Sequence, residues 1–247
     1  MSDSNVGGRR KRNIRDNLFA IYAIINDAIK NKKDIDIQFY DISKCFDAMW
    51  AEETMNDIFE AGLKGDKFAL MSLMNSKCRV KVKTPVGGTE IFELNNIEMQ
   101  GTVPAPLKCA VQIETLGRYC YTYNTGIYYY KYVCSVPPLG MIDDIGGVAK
   151  CQDDTVILNS IKNAKIESKK LEFNLKKCVN MHIGPNIQSC PSLKIHENVM
   201  NTSSTQIYLG DKISSSGSNS ENIRERCKMG HIAICQIKSL MKDVNKT

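Results

Sequence analysis

The segment Leu139-Gly140-Met141-Ile142-Asp143-Asp144-Ile145-Gly146-Gly147-Val148-Ala149 sets two adjacent acids inside an apolar, glycine-bearing run. Two carboxylates about 4 Å apart at an effective dielectric near 20 repel by roughly 4 kcal/mol. Solvent, a cation or a strained exposed turn must offset that charge. A third acid, Asp41, closes the alternating stretch Asp34-Ile35-Asp36-Ile37-Gln38-Phe39-Tyr40-Asp41 much earlier in the chain. Carboxylates brought together from two such segments can hold a pair of divalent ions roughly 3.5–4 Å apart, an arrangement that activates an attacking hydroxyl and stabilises a leaving phosphate oxygen. Mg2+ suits the task because it keeps several waters and takes one or two carboxylates plus substrate phosphates. The bland alternative is an acidic surface turn or helix start, and Asp153-Asp154 is such a case, opening a helical pattern where negative charge favours the dipole.

The elements that must position these acids follow from periodicity. Ile14, Leu18, Ile21, Ile25 and Ile29 recur at helical intervals over 13–30, and Ile35, Ile37 and Phe39 alternate on one face of a strand that ends at Asp41. Two helices are predicted over 48–63 and 66–76, on either side of Gly65, and a hairpin over 78–94 with Gly87-Gly88 at its turn. A helix with proline in its first turn fits 104–121. The tyrosine-rich run 127–136 is β-prone, and two short strands meet at Asp143-Asp144. An amphipathic helix (153–171), a strand (178–184), a strand and turn (205–217) and a long helix capped by Ser220 complete the chain. Helices and strands mix without a strict βαβ repeat, which predicts an α+β fold.

Composition bounds the function. A chain of 247 residues with 43% hydrophobic content can bury a real core. No apolar run approaches the roughly 18–20 residues of a membrane span, and the basic start lacks the apolar segment of a secretion signal, so an intracellular protein, nuclear or cytoplasmic, is expected. Ten cysteines include no C-x-x-C pair and there are three histidines, so neither zinc nor a disulfide framework is expected. The net charge of +6 is uneven: residues 1–33 hold eight Lys/Arg against three acids, 218–247 hold six against three, and the stretch between holds nineteen against twenty-one. Basic ends around an acidic centre suit a polyanionic partner, although solvated faces explain many lysines.

Several stretches together resemble the reverse transcriptases of non-LTR, LINE-like retrotransposons. Residues 39–50, Phe-Tyr-Asp-Ile-Ser-Lys-Cys-Phe-Asp-Ala-Met-Trp, are similar to the first palm motif of that family, 99–111 to the second, 140–149 to the Asp-Asp box, 171–184 to the Asn-x-x-Lys motif and 207–217 to the Tyr-Leu-Gly primer-grip hairpin. Residues 8–25 resemble the basic segment that precedes the palm. The resemblance implies an antiparallel palm sheet packed by helices, with a basic segment and partial fingers helix over 1–33, palm and fingers elements over 34–217, and the start of a thumb over 218–247. It implies that Asp41, Asp143 and Asp144 bind two Mg2+ ions, with Mn2+ as a substitute, assisted by the Ile42 carbonyl. Lys177, with Lys176 as rival, would protonate or neutralise pyrophosphate. Phe46 would crowd a 2′-hydroxyl and so favour dNTPs, while Gln100 and Gly101 would lie along the nucleotide and template. Tyr208, Leu209 and Gly210 would support the primer end. Arg9, Arg10, Lys11, Arg12 and Arg15 would neutralise phosphates of an RNA template paired with a DNA primer. Each position also has a structural reading: Phe46 as core, residues 100–101 as a turn, the lysines as solvated, Tyr208 as hairpin packing and the arginines as a frayed terminus. The tyrosines at 119, 121, 123, 128–130 and 132 could stack bases, but strands favour tyrosine anyway.

The sequence departs from the family pattern in two motifs: Ala105 stands where the family has serine, and Met141 where an aromatic is usual. The family's clamp strands, full thumb and endonuclease have no counterpart in the sequence, so a partial enzyme is expected. The rival expectation is an inactive nucleic-acid-binding remnant. A viral RNA-dependent RNA polymerase shares the acidic palm, but Phe46 argues against ribonucleotide use.

Overall fold

The computed structural model describes residues 7, 11–75, 78–94, 104–122, 139–141, 143–150, 152–186 and 190–244. The elements run α1 (Ile14–Lys30), β1 (Ile35–Asp41), α2 (Cys45–Ala48), α3 (Ala51–Glu60), α4 (Asp66–Asn75), β2 (Cys78–Val80), β3 (Lys83–Thr84), β4 (Gly87–Gly88), β5 (Phe92–Leu94), α5 (Ala105–Thr122), β6 (Leu139–Met141), β7 (Asp144–Ala149), α6 (Gln152–Ser168), β8 (Val179–Ile183), β9 (Lys194–Ile195), β10 (Asn198–Val199), β11 (Asn201–Thr202), β12 (Thr205–Tyr208), β13 (Asp211–Ser214) and α7 (Ser220–Val244). The main sheet has the order β11-β8-β1-β7-β6, with β1 antiparallel to both neighbours.

β1 is central, with both edges paired, and packing covers both of its faces. On one side Ile35, Ile37 and Phe39 meet Val148, Met181, Ile183 and the α1 residues Leu18, Ile21 and Ile25. On the other, Tyr40 joins Ile145, Ala149 and Leu158 of α6. Each fully buried side chain of this size contributes roughly 1.5–3 kcal/mol. The alternation of isoleucines points to the first face alone. The second is polar near the strand, where the Gln38 amide donates to the Thr155 carbonyl (2.7 Å) and the Tyr40 hydroxyl lies 2.7 Å from Asn159 Oδ1.

α1 opens with a capping box: the Arg15 amide donates to Asn13 Oδ1 and the Asn13 amide to Asp16 Oδ2. Its buried stripe is Leu18, Ile21, Ile24, Ile25 and Ala28, whereas Ile14 and Ile29, which belong to the predicted stripe, are exposed at the helix ends. Buried Asn17 donates from Nδ2 to the Gly140 carbonyl (2.9 Å), which ties α1 to β6 just ahead of the acid pair.

The two glycines of β7 serve opposite faces. A Cβ on Gly147 would lie 2.2 Å from Lys162 Nζ and 3.0 Å from Leu158 Cδ2. Lys162 cannot easily swing away, because it is fully buried with its ammonium 4.3 Å from the centre of the Tyr40 ring. A Cβ on Gly146, facing the other way, would sit 3.3 Å from the Tyr208 hydroxyl. Gly147→Ala is expected to cost about 1–3 kcal/mol through overpacking, and Gly146→Ala less, as urea unfolding of the two variants will measure.

Two local expectations are corrected. Thr84 pairs with Gly87 and Lys83 with Gly88, so the hairpin turns at Pro85-Val86 and the glycines form its returning arm. Proline presets the φ of the second turn position, which outweighs the glycine pair. The Ile223 amide donates to the Asn219 carbonyl, so α7 is entered from Asn219, and Ser220 is its first helical residue. The β-prone run 127–136 lies outside the described residues. Among the described residues no helix is long and apolar enough to cross a membrane.

Candidate functional site

Strand register brings the separated acids together. β1 pairs with β7 so that Asp41 stands directly opposite Asp144, Phe39 opposite Gly146 and Ile37 opposite Val148. Directly opposed residues of an antiparallel pair point to the same face with Cβ atoms about 4.5–5.5 Å apart. Asp41 and Asp144 therefore share the α1 face of the sheet. Met141 pairs with Asp144, which puts Asp143 just ahead of β7 and beside the other two acids.

The turn that leads into β8 supplies the cation. Ile42 forms an isolated bridge with Phe173, with the Asn174 amide donating to the Asp41 carbonyl (2.8 Å) and the Ser43 amide to the Glu172 carbonyl (2.8 Å). The Lys177 and Cys178 amides then return to the Asn174 carbonyl. This turn hangs from the backbone of Asp41, and it carries Lys177 Nζ to 2.9 Å from Asp41 Oδ1. Lys176, the rival lysine, lines the same cavity. Buried Cys178 lies beneath the turn with its thiol pushed up to about 11 by burial, which keeps it protonated.

Electrostatically the site is short of positive charge. Burial raises the Asp143 carboxyl, with the negative charge of Asp41 adding to the effect. Asp144 is pushed up to about 6, first by burial and then by Asp143 and Asp41. The hydrogen bond to Asp41 holds the Lys177 ammonium above its ordinary value. Lys177, which bonds Asp41, is largely exposed, so its charge offsets only part of that of the three crowded carboxylates.

A second hairpin walls the site. β12 and β13 turn through Leu209 (φ 50°) and Gly210 (φ 82°), both left-handed as a type I′ turn requires. Leucine is an uncommon occupant of that region, and here its side chain packs against the α1-face core. Tyr208 is buried, its ring 5.2 Å from that of Phe39, and its hydroxyl donates 2.7 Å to the Leu139 carbonyl. Burial, then the negative charge of Asp144, raises that phenol strongly. The Gln206 amide donates to the Lys177 carbonyl (3.4 Å), joining the hairpin to the lysine turn. Asp41, Asp144, Lys177, Leu209 and Gly210 line one cavity of about 440 Å³.

In overall arrangement the chain is similar to solved telomerases. It aligns with telomerase from Candida tropicalis in complex with a TWJ fragment of telomeric RNA at a TM-score of 0.61 and 14% identity, covering 86% of this chain and 33% of that one. Telomerase from Candida albicans, in a complex of the same kind, gives 0.59 and 12%, covering 85% and 33%. The apo enzyme from Candida tropicalis gives 0.59 and 14%, covering 87% and 35%. The likeness is one of fold: the chain shares the arrangement of the part of these telomerases that it covers. No family model matches the chain, and no curated protein matches it. The chain spans about a third of the length of the solved structures it matches.

The other candidate residues are placed as follows. Ile42 is buried, and Phe46, half-buried on α2, packs against the core around Tyr40 and Met49. Ala105 is fully buried at the start of α5. Lys11, Arg12 and Arg15 are exposed around the start of α1 and are absent from the cavity lining. Gln100, Gly101, Arg9, Arg10 and Tyr123, Tyr128, Tyr129, Tyr130 and Tyr132 lie outside the described residues. Asn174, which anchors the lysine turn, is the asparagine of the Asn-x-x-Lys motif, whereas Asn17 and Gln206, which hold the acid hairpin and the lysine turn, escape sequence reasoning. Their signals were single polar residues inside apolar or mixed periodic stretches.

Proposed function

We propose that the chain is an RNA-directed DNA polymerase domain of the non-LTR retrotransposon type, adding deoxynucleotides to a primer 3′-end by two-metal phosphoryl transfer. The observation that carries the reading is the register that opposes Asp41 and Asp144, with Asp143 just ahead of β7. The motif resemblance and the likeness in fold support it. In this reading residues 34–217 form the palm with fingers elements, 1–33 the basic segment and partial fingers helix, and 218–247 the start of the thumb.

The donor set fits Mg2+, or Mn2+ in its place: three carboxylates supply hard oxygen ligands, and burial, then the charges of Asp143 and Asp41, raise the Asp144 carboxyl despite Lys177. Asp41, Asp143 and Asp144 would hold the two ions, with the Ile42 carbonyl assisting. When bound, the metal lowers the pKa of the attacking hydroxyl and neutralises phosphate oxygens. Lys177 has its ammonium at the same cavity and remains charged at neutral pH, so it can neutralise or protonate departing pyrophosphate. Leu209 and Gly210 present the hairpin edge to the primer end, and Tyr208 fixes that edge by its bond to the Leu139 carbonyl. Phe46 excludes the 2′-hydroxyl, Gln100 and Gly101 contact nucleotide and template, and Arg9, Arg10, Lys11, Arg12 and Arg15 bind template phosphates.

Primer extension on an RNA template with Mg2+ tests this reading. Wild type should incorporate dNTPs, and Phe46→Val should raise rNTP use relative to dNTP by about 100-fold, as removal of a steric barrier of this size allows. The second reading, a binding remnant, is favoured by Ala105, which brings no hydroxyl to its motif. Salt-sensitive hybrid binding with no incorporation in Mg2+ or Mn2+ would establish that remnant and end the polymerase proposal.

A further inference from the structure

A second constellation lies at the other end of β1, five residues from Asp41 and so about 17 Å away at roughly 3.3 Å per residue. Asp36 stands directly opposite His182 of β8, and the two share the α6 face. His182 Nδ1 is 3.0 Å from Asp36 Oδ1, while Asp36 Oδ2 accepts from the Thr155 hydroxyl at 2.9 Å. The chain then turns through Gly184, at φ 141°, where a Cβ would lie 2.2 Å from Asp34 Oδ1. It returns with Cys190, whose sulfur accepts from Asn180 Nδ2 at 3.4 Å.

One donor atom each from Asp36, His182 and Cys190 lies within 4.8 Å of the other two. A second observation points to a ligand. Asn180 is 1% exposed, and its Oδ1 has no hydrogen-bond partner. His182 Nε2, on a side chain 8% exposed, also makes no hydrogen bond, with Asp34 Oδ1 3.5 Å from it. Asn180, His182 and Cys190 line one cavity of about 670 Å³. Leaving a buried polar atom such as Asn180 Oδ1 without a hydrogen bond is costly.

We propose that Asp36, His182 and Cys190 form a binding site for a zinc-type divalent cation, distinct from the carboxylate cluster around Asp41. A thiolate, an imidazole and a carboxylate suit Zn2+ and its neighbours in the transition series, where three oxygens suit Mg2+. Three protein donors leave a fourth position for water or for the Asn180 amide oxygen. The ion would join β1, β8 and the segment around Cys190, bracing the sheet that carries Asp41. Spacing rules predict no zinc because they look for C-x-x-C pairs, whereas these donors come together only through the pairing of β1 with β8.

Co2+ titration of the full chain tests the site through its thiolate charge-transfer absorption. Cys227 and Cys235 are first changed to serine, because Cys235 lies 3.7 Å from His231 Nε2 on α7 and offers a rival pair. One Co2+ per chain, displaced by Zn2+, is expected. Cys190→Ser and His182→Gln should abolish the band and weaken Zn2+ binding by more than the roughly 10- to 100-fold that loss of a group supporting a ligand costs. Asp41→Asn should retain the band. No band in the parent protein, or a band that survives Cys190→Ser, would overturn the proposal. A thermal shift on adding Zn2+ to the parent provides a measurement independent of whether the variants fold, and an unchanged melting temperature counts against the site.

Discussion

Single-turnover incorporation by Asp144→Asn should fall at least about 1,000-fold below wild type, a barrier rise of about 4 kcal/mol. Asparagine keeps the volume and most of the shape of aspartate, so the β1–β7 pairing that opposes positions 41 and 144 should survive. What is lost is the negative charge, and with it, in the proposed reaction, the anchorage of a cation that would stabilise charge in the transition state by several kcal/mol. Asp41→Asn should behave alike, and in addition it releases Lys177, whose ammonium is held 2.9 Å from Asp41 Oδ1. Primer–template affinity should change little in either variant, since neither acid binds nucleic acid directly in this account. Loss of binding in parallel with loss of rate would assign the acids a structural role.

The same substitution should have the opposite effect on stability. Without divalent ions, the folded Asp144 carboxyl titrates at about 6 against an ordinary value of 3.8. Between these values the folded protein keeps a proton that the unfolded chain has lost, so stability falls as pH rises through about 4 to 6, and the loss is complete above that window. The full difference corresponds to about 3 kcal/mol, which solvent around this partly open side chain reduces to about 1–2 kcal/mol. Asp144→Asn should therefore be about 1–2 kcal/mol more stable than wild type at pH 7.5 in chelator, and indistinguishable from it at pH 4. Saturating Mg2+ should narrow the gap, because a ligand of the folded state stabilises the wild type alone. Urea unfolding at the two pH values measures this, and equal stability at pH 7.5 in chelator would show that the carboxylates are not crowded.

Which parts of this molecule can be read from its sequence depends on how local their signals are. β1 and the Asp143-Asp144 hairpin were evident because alternation and an abrupt charge in an apolar run are local signals. Their meeting was not local. It depends on a register that only the burial of Ile37 against Val148 and Phe39 against Gly146 fixes. The polar face of β1 was missed for the same reason: Asp36, Gln38 and Tyr40 break the apolar pattern, and their partners Thr155, Asn159 and His182 lie more than a hundred residues away. Lys177 is nominated by motif over Lys176, but its bond to Asp41 depends on the turn that hangs from the Asp41 carbonyl. The hairpin over 78–94 was found while its turn was misplaced, since proline and paired glycines are both turn formers and sequence alone does not rank them.

Mn2+ binding at pH 7.5, followed by electron paramagnetic resonance with the full chain and with Asp41→Asn and Asp144→Asn, bears most directly on the convergence of these carboxylates. Wild type should sequester Mn2+, and each variant should release it at concentrations where wild type is occupied. Mn2+ held equally by all three proteins would contradict the account.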